Sequence, residues 1–472
     1  MKQPNVVFIT ADDHTPSALN CYGPTLVPTP NLDRIADEGM RLDNCFCTNA
    51  ICTPARATML TGMYSHTNGI KTLDDTINHS QQWTLANSFH QACYQTAMIG
   101  KWHLGHGGQS NPIDFDEWNV LASNSGQGKY FEPTTLTSRG MQHHSGYVTD
   151  VLTDLSLDWL ERRDPSQPFL LWLGHKAPHD PFQYHPRHSD ILTNVDVPEP
   201  CTLHDNLAGR PAAALSTQRV ERMLGFDKQH LPESIPDGLN EEQRYSWLYQ
   251  TFIKSYLRCV AAIDENVGRL LGYLDEHNLS DNTIVIYTSD HGFFLGEHGF
   301  YDKRYMYEPS IRIPFLIRYP REIPAGTSSR KMALNVDFAP TLLDLAHLEI
   351  PNEVQGQSLR SIVSGDNPLT WRKSMYYRYW MHGAHFNVPA HYGIRTENHK
   401  LIYYYGDPLN ATGATGDHTN PTWELFDLKR DPEELQNLYS DPTYAHLREQ
   451  LRTELRHLQV ELGDEPYPQQ TP

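Results

Sequence analysis

The chain has 472 residues, with 38 basic against 57 acidic side chains and a formal net charge of −19 with histidine neutral. That balance excludes a general nucleic-acid binder, which needs a positive face. An anionic substrate would have to be drawn by a local cationic pocket or a bound cation.

Met1 leads through Lys2-Gln3-Pro4 straight into a strand-like run, with no signal-peptide h-region. That beginning fits a cytoplasmic protein, or a periplasmic or extracellular one whose leader has been removed. No apolar run approaches the ~20 residues of a membrane span. Asn5-Val6-Val7-Phe8-Ile9-Thr10 reads as a strand buried on both faces, ending in Ala11-Asp12-Asp13-His14. Gln95-Thr96-Ala97-Met98-Ile99 ends likewise in Gly100-Lys101-Trp102-His103-Leu104-Gly105. Val148, Val151, Leu152, Leu155 and Trp159 fall at helical spacing. Phe169-Leu170-Leu171-Trp172-Leu173 runs into Gly174-His175-Lys176-Ala177-Pro178-His179. From His175 to about Gly238 the chain is rich in Pro, His and Asp, and long loops over a site are expected. Tyr256, Val260, Ile263, Val267, Leu270, Leu271 and Leu274 mark another helix. Thr283-Ile284-Val285-Ile286-Tyr287-Thr288 ends in Ser289-Asp290-His291-Gly292. Strand and helix alternate, which predicts an α/β sandwich. Four apolar strands deliver polar groups at their C-terminal ends, the edge where open parallel sheets bind ligands.

The character changes after about Gly365. Runs at Met375–Trp380, Lys400–Tyr405 and Trp423–Leu428 predict a small antiparallel sheet. A terminal amphipathic helix follows, with Leu447, Leu451, Leu455 and Leu458 on one face. The boundary is expected near 365–372, giving a catalytic domain over 1–368 and a C-terminal subdomain over 369–472.

Adjacent carboxylates at a strand end repel each other. Turn formation explains many single Asp-Asp pairs, but Asp12-Asp13 and Asp290-His291 both follow buried strands. A hard divalent cation with oxygen ligands resolves that repulsion. Pro54 suits the first turn of a helix, so Cys52 sits near a helix N-terminus, which favours bound anions. The seven cysteines are scattered, with no Cys-x-x-Cys spacing. By spacing alone Cys52 reads as a buried small hydrophobe.

Cys52-Thr53-Pro54-Ala55-Arg56, followed by Ala57-Thr58-Met59-Leu60-Thr61-Gly62, resembles the signature of the type I sulfatases of the alkaline-phosphatase superfamily. So do, in family order, Thr10–Asp13, Thr29-Pro30-Asn31-Leu32-Asp33, Gly100–Gly105, Pro178-His179-Asp180-Pro181, Ser289–Gly292 and Lys303 after Gly296–Gly299. Leu425–Leu428 with Asp431-Pro432-Glu433 is similar to the family's closing subdomain, so the resemblance spans nearly the whole chain. It implies a large, mostly parallel sheet flanked by helices, with a smaller antiparallel sheet and helix behind it. It also implies that a maturation enzyme converts Cys52 to Cα-formylglycine. Asp12, Asp13, Asp290 and His291 would hold a Ca²⁺ together with the modified Cys52. Arg56 and Lys101 would hold the formylglycine hydrate, and His103 would hydrogen-bond one of its hydroxyls. Lys303 and His179 would face the sulfate, with His179 as proton donor to the leaving oxygen.

These residue types suit the chemistry. A sulfate ester is a poor electrophile whose oxygens carry charge through the transfer, and Arg56, Lys101, Lys303 and the cation offer preorganised positive charge. An aldehyde hydrate attacks sulfur with one hydroxyl and ejects sulfate with the other. The expected substrate is a sulfated carbohydrate of glycosaminoglycan type, with N-acetylglucosamine-6-O-sulfate favoured. His391 and Arg395, between the small-sheet strands, are expected to touch it. Two other readings stand beside this one: a formylglycine-dependent phosphonate monoester or phosphodiester hydrolase, and a non-catalytic, cation-dependent glycan-binding protein.

Overall fold

The four apolar runs become neighbouring strands of one sheet in this computed structural model, which describes residues 3–123, 126–223, 231, 233–366 and 368–467. In chain order the sheet comprises β1 (Asn5–Asp12), β2 (Met40–Leu42), β3 (Gln95–Gly100), β4 (Glu117–Leu121) and β5 (Thr134–Thr137). It continues with β6 (Gly140–His143), β7 (Phe169–Pro178), β8 (Thr283–Ser289), β9 (Phe315–Arg318) and β10 (Thr327–Ser329). Across the sheet the order is β10-β2-β9-β8-β1-β7-β3-β4-β5-β6. The centre, β8 through β4, is parallel throughout. Antiparallel pairs occur only toward the two sides.

Burial on both faces explains the continuous apolar runs. Val6 and Phe8 point into one core, Val7 and Ile9 into the other. Leu170 and Trp172 alternate with Leu171 and Leu173 in the same way. The first face is covered by helix α1 (Cys52–Thr61), through Ala57, Met59 and Leu60. The second carries α2 (Val148–Arg162) and the long α3 (Glu241–Glu276), which opens on an Asn240–Gln243 capping box. The expected loops after His175 begin later than the sequence suggested, because β7 continues to Pro178. Residues 224–230 and 232 of that stretch lie outside the described ones.

The small sheet is β11 (Ser374–Tyr379), β12 (His391–Thr396), β13 (His399–Tyr404) and β14 (Thr422–Asp427), antiparallel in that order. Helix α4 (Ala445–Leu462) buries Leu451 and Leu455 toward it, with Leu447 and Leu458 partly covered. One expectation needs correcting. The segment around His391 and Arg395 is not a pocket-bordering loop but the inner strand β12. His391 is fully buried, with its Nδ1 2.7 Å from the Pro389 carbonyl and its ring beside those of Tyr377 and Tyr305. Arg395 is buried over the Phe46 ring and paired with Glu308 at 3.0 Å. Both side chains therefore fasten the small sheet to the main body rather than meeting a substrate.

The same fastening includes Lys400, whose Nζ lies 2.9 Å from Glu308 and 2.5 Å from Glu434. Burial raises the Glu434 carboxyl to about 7 despite Lys400, whereas Arg395 and Lys400 together overcome burial and hold Glu308 well below the usual range. Lys400→Met should destabilise the protein by about 3–5 kcal/mol, because it strands the buried Glu434 carboxyl while Glu308 keeps Arg395. Denaturant unfolding checks this; a loss under 1 kcal/mol would contradict it.

Candidate active site

The strands β8, β1, β7 and β3 end on one edge, and their register sets which polar residues meet. Ala11 lies opposite Ser289, so Asp12 and Asp13 leave β1 beside Asp290 and His291. Asp12 pairs in register with Pro178, which brings His179 alongside. Gly100 faces Gly174 on β7, which places Lys101 on the same edge. Cys52 opens α1, where Pro54 costs no hydrogen bond in the first turn. Its Sγ lies 3.6 Å from Asp12 Oδ1 and 3.4 Å from His291 Nε2. Asp13 and His103 sit at positive φ, 72° and 56°, a backbone state that costs about 1–3 kcal/mol and recurs at functional sites.

Three buried carboxylates converge here, and each faces its own cation. Lys101 is ion-paired with Asp12. Lys303 Nζ lies 2.8 and 3.1 Å from the Asp13 oxygens. Arg56 Nε is 3.1 Å from Asp290 Oδ2, and its Nη1 donates to the Lys101 carbonyl at 2.8 Å. His179 Nε2 is 3.8 Å from Asp13, with Nδ1 2.5 Å from Asp180. His291 Nδ1 lies 3.0 Å from the Gly292 carbonyl and 3.3 Å from Asp13. Thr53 Oγ1 donates to the His103 carbonyl at 2.9 Å, tying His103 to α1.

Burial alone would suppress charge in this place, and the paired groups reverse that. For Cys52, Lys101, Lys303 and His291 together outweigh burial and pull the thiol well below its ordinary value. His179 loses basicity by burial but regains more from Asp12, Asp13 and Asp180, reaching about 10. His291 is lifted to about 9, chiefly by Asp290 against burial. Asp12 lies well below the carboxylate range because Lys101 overcomes burial, while burial raises Asp290 to about 6. His103 is pushed down to about 4 by burial and by Lys101. The position of Cys52 Sγ is thus a site for negative charge, ringed by cations.

The donor set also fits a hard divalent cation. Ligand atoms of Asp12, Cys52, Asp290 and His291 lie within 4.8 Å of one another, as do those of Asp12, Asp13 and His179. Asp12, Asp13 and Asp290 supply the carboxylate oxygens that Ca²⁺ or Mg²⁺ require. Arg56 Nη2 is buried there without a hydrogen-bond partner among the described residues, so the pocket has polar capacity in reserve.

Every residue expected in the catalytic and metal groups reaches this cluster; His391 and Arg395 do not. Three contributors escaped the sequence reading. Gln127 accepts from Lys101 Nζ at 2.6 Å and lies 3.4 Å from His103 Nε2. Asp302 and Arg304 flank Lys303 as a buried ion pair, with Arg304 over the Phe386 ring. A lone Gln in a Gly-rich loop carries no sequence signal, whereas charges on both sides of Lys303 do. His14, His175 and His298 stay outside. His14 lies 2.5 Å from the Tyr287 hydroxyl, and His298 pairs with Asp205 at 2.8 Å. His175 is buried without a hydrogen-bond partner among the described residues.

Comparison with known proteins agrees with this geometry. The family model for sulfatases matches residues 4–348, and that for the N-sulphoglucosamine sulphohydrolase C-terminal region matches residues 296–461. The N-acetylglucosamine-6-O-sulfatase of Bacteroides thetaiotaomicron is 40% identical, over 98% of this chain and 87% of the relative. The human N-acetylglucosamine-6-sulfatase is 29% identical, over 93% of this chain and 80% of its own. A solved structure of BT4656 in complex with its substrate D-glucosamine-2-N,6-O-disulfate superposes with a TM-score of 0.92, at 39% identity and over 100% of both chains.

Proposed function

The chain belongs to the type I sulfatases of the alkaline-phosphatase superfamily and is a sulfuric ester hydrolase; within that family, we propose that it removes the 6-O-sulfate of N-acetylglucosamine in glycosaminoglycan-type carbohydrates. The 40% identical relative that bears that activity in its name supports the substrate. The observation that carries the chemistry is the convergence of Cys52 with three buried carboxylates and three cations.

Asp12, Asp13, Asp290 and His291, with the modified residue 52, would hold one Ca²⁺. Bound there, the cation would supply Lewis-acid polarisation and lower the pKa of a hydroxyl at position 52. Formylglycine at position 52, as its hydrate, would supply that hydroxyl where Sγ now lies. Arg56 and Lys101 offset the charge of Asp290 and Asp12, so the site accepts an anion in an acidic protein. His103 orients the modified side chain through its ring. Lys303 holds sulfate charge as it develops. His179, protonated at neutral pH, gives its proton to the departing sugar oxygen.

A panel of sulfated sugars and phosphodiesters tests this reading. Matured enzyme should release sulfate from N-acetylglucosamine-6-O-sulfate, with phosphodiesters turned over at least about a hundredfold more slowly. The reverse preference would favour the phosphodiester hydrolase, and binding without turnover the glycan-binding protein. Chelation should abolish activity and also lower Tm, since the ion binds only the folded state. Added Ca²⁺ should restore both. An unchanged Tm and rate under chelation would remove the cation from the account.

A further inference from the structure

A cavity opens beside His179, which forms part of its wall. It measures about 600 Å³, and its lining includes Gln127, Lys129, Lys176 and Gln183 together with Asp180, whose carboxylate is taken up by His179 at 2.5 Å. That size suits a small ligand. Gln127 also bonds Lys101, and His179 lies on the wall of this cavity, so it continues from the catalytic cluster on the side where the acid stands. Lys176 is the unusual member. It is only 3% exposed, yet among the described residues its ammonium donates to one acceptor, the Asp180 carbonyl at 3.2 Å. No carboxylate lies within ion-pair distance of it among the described residues; Asp180, Asp12 and Asp13 act on it only from further off, and the face of Tyr130 lies 5.1 Å away. A desolvated ammonium with two N–H groups unspent is costly unless an anion meets it. Burial draws Lys176 down to about 8 against the opposing pull of Asp180, Asp12 and Asp13. Lys129 adds an exposed positive charge at the rim.

We propose that this cavity is a subsite for a second anionic group of the substrate, a sulfate or carboxylate, and that Lys176 is the residue that recognises it. The inference rests on the sulfatase reading and adds a charge requirement to it. The anion sits on the sulfated sugar itself or on the sugar joined to it. Lys176 then selects multiply charged substrates, while His179 and Lys303 act on the ester common to all.

Three substrates separate the possibilities: N-acetylglucosamine-6-O-sulfate, glucosamine-2-N,6-O-disulfate, and a disaccharide in which a uronate is joined to the 6-sulfated sugar. Wild type should favour at least one doubly charged substrate by about tenfold in kcat/KM, or about 1.4 kcal/mol. Lys176→Met should bring that ratio close to one, mainly through KM, and Lys176→Arg should keep most of it. The substrate whose advantage collapses names the source of the anion. A role limited to bracing His179 would instead lower kcat for all three substrates alike, and would overturn the proposal. Equal kcat/KM for all three in wild type would also overturn it. If wild type releases sulfate from none of them, the substrate reading falls and the subsite with it. Should Lys176→Met not fold, inhibition of wild type decides. A sugar N-sulfate or uronate without 6-sulfate should inhibit about tenfold more tightly than its neutral counterpart, and equal inhibition would refute the subsite.

Discussion

Cys52→Ala should lower sulfate release by at least about ten-thousandfold, the scale on which loss of a nucleophile registers. Alanine fits the first turn of α1, where Cys52 is 2% exposed and its Sγ meets His291 and Asp12 at 3.4 and 3.6 Å. The helix keeps Pro54 in its first turn and Gly62 at its left-handed C-cap, so the backbone has no reason to change. Folding should therefore survive, with Tm shifted by a few degrees at most. The cations that surround Sγ stay in place, and the variant should still bind sulfated sugar. A fall of only tenfold would mean that residue 52 is not the nucleophile. Steady-state sulfate release alongside a thermal melt distinguishes the two.

His179→Ala should cost about a hundred- to ten-thousandfold, the usual worth of a general acid. The loss should depend on the leaving group. A sugar alkoxide is strongly basic and needs the proton, whereas an activated aryl oxide leaves without it. The variant should thus lose far more on a sugar sulfate than on an aryl sulfate. The acid must be protonated, so wild-type activity should fall as pH rises through the value of His179, and the variant should lack that alkaline limb. Asp12, Asp13 and Asp180 keep His179 charged in spite of its burial. Equal losses on both ester types would assign His179 to sulfate binding alone.

Much of this site was legible because each apolar run stops abruptly in polar residues. Asp12-Asp13, Lys101, His179 and Asp290-His291 all stand directly after strands that the pattern already marked. Parallel pairing then places them on one edge without further information. Cys52 was legible only through the longer motif around it, since a lone cysteine at a helix start reads as packing. Gln127 was invisible because its partner Lys101 lies 26 residues away, with β4 between the two. Lys176 looked like a loop lysine because β7 runs five residues beyond its apolar core. His391 and Arg395 were misread for a related reason. Polar side chains in His391-Tyr392-Gly393-Ile394-Arg395 suggest a binding loop, but Glu308, 87 residues before Arg395, turns the same charge inward as a structural pair. Apolar periodicity does not report polar residues that are satisfied by distant partners.

The most direct test of the account is the mass of the proteolytic peptide carrying Cys52, from protein produced together with a formylglycine-generating enzyme. The account predicts an aldehyde in place of the thiol, in a preparation that releases sulfate in proportion to the modified fraction. An unmodified thiol in a fully active preparation would contradict it, because the nucleophile would then have to lie elsewhere.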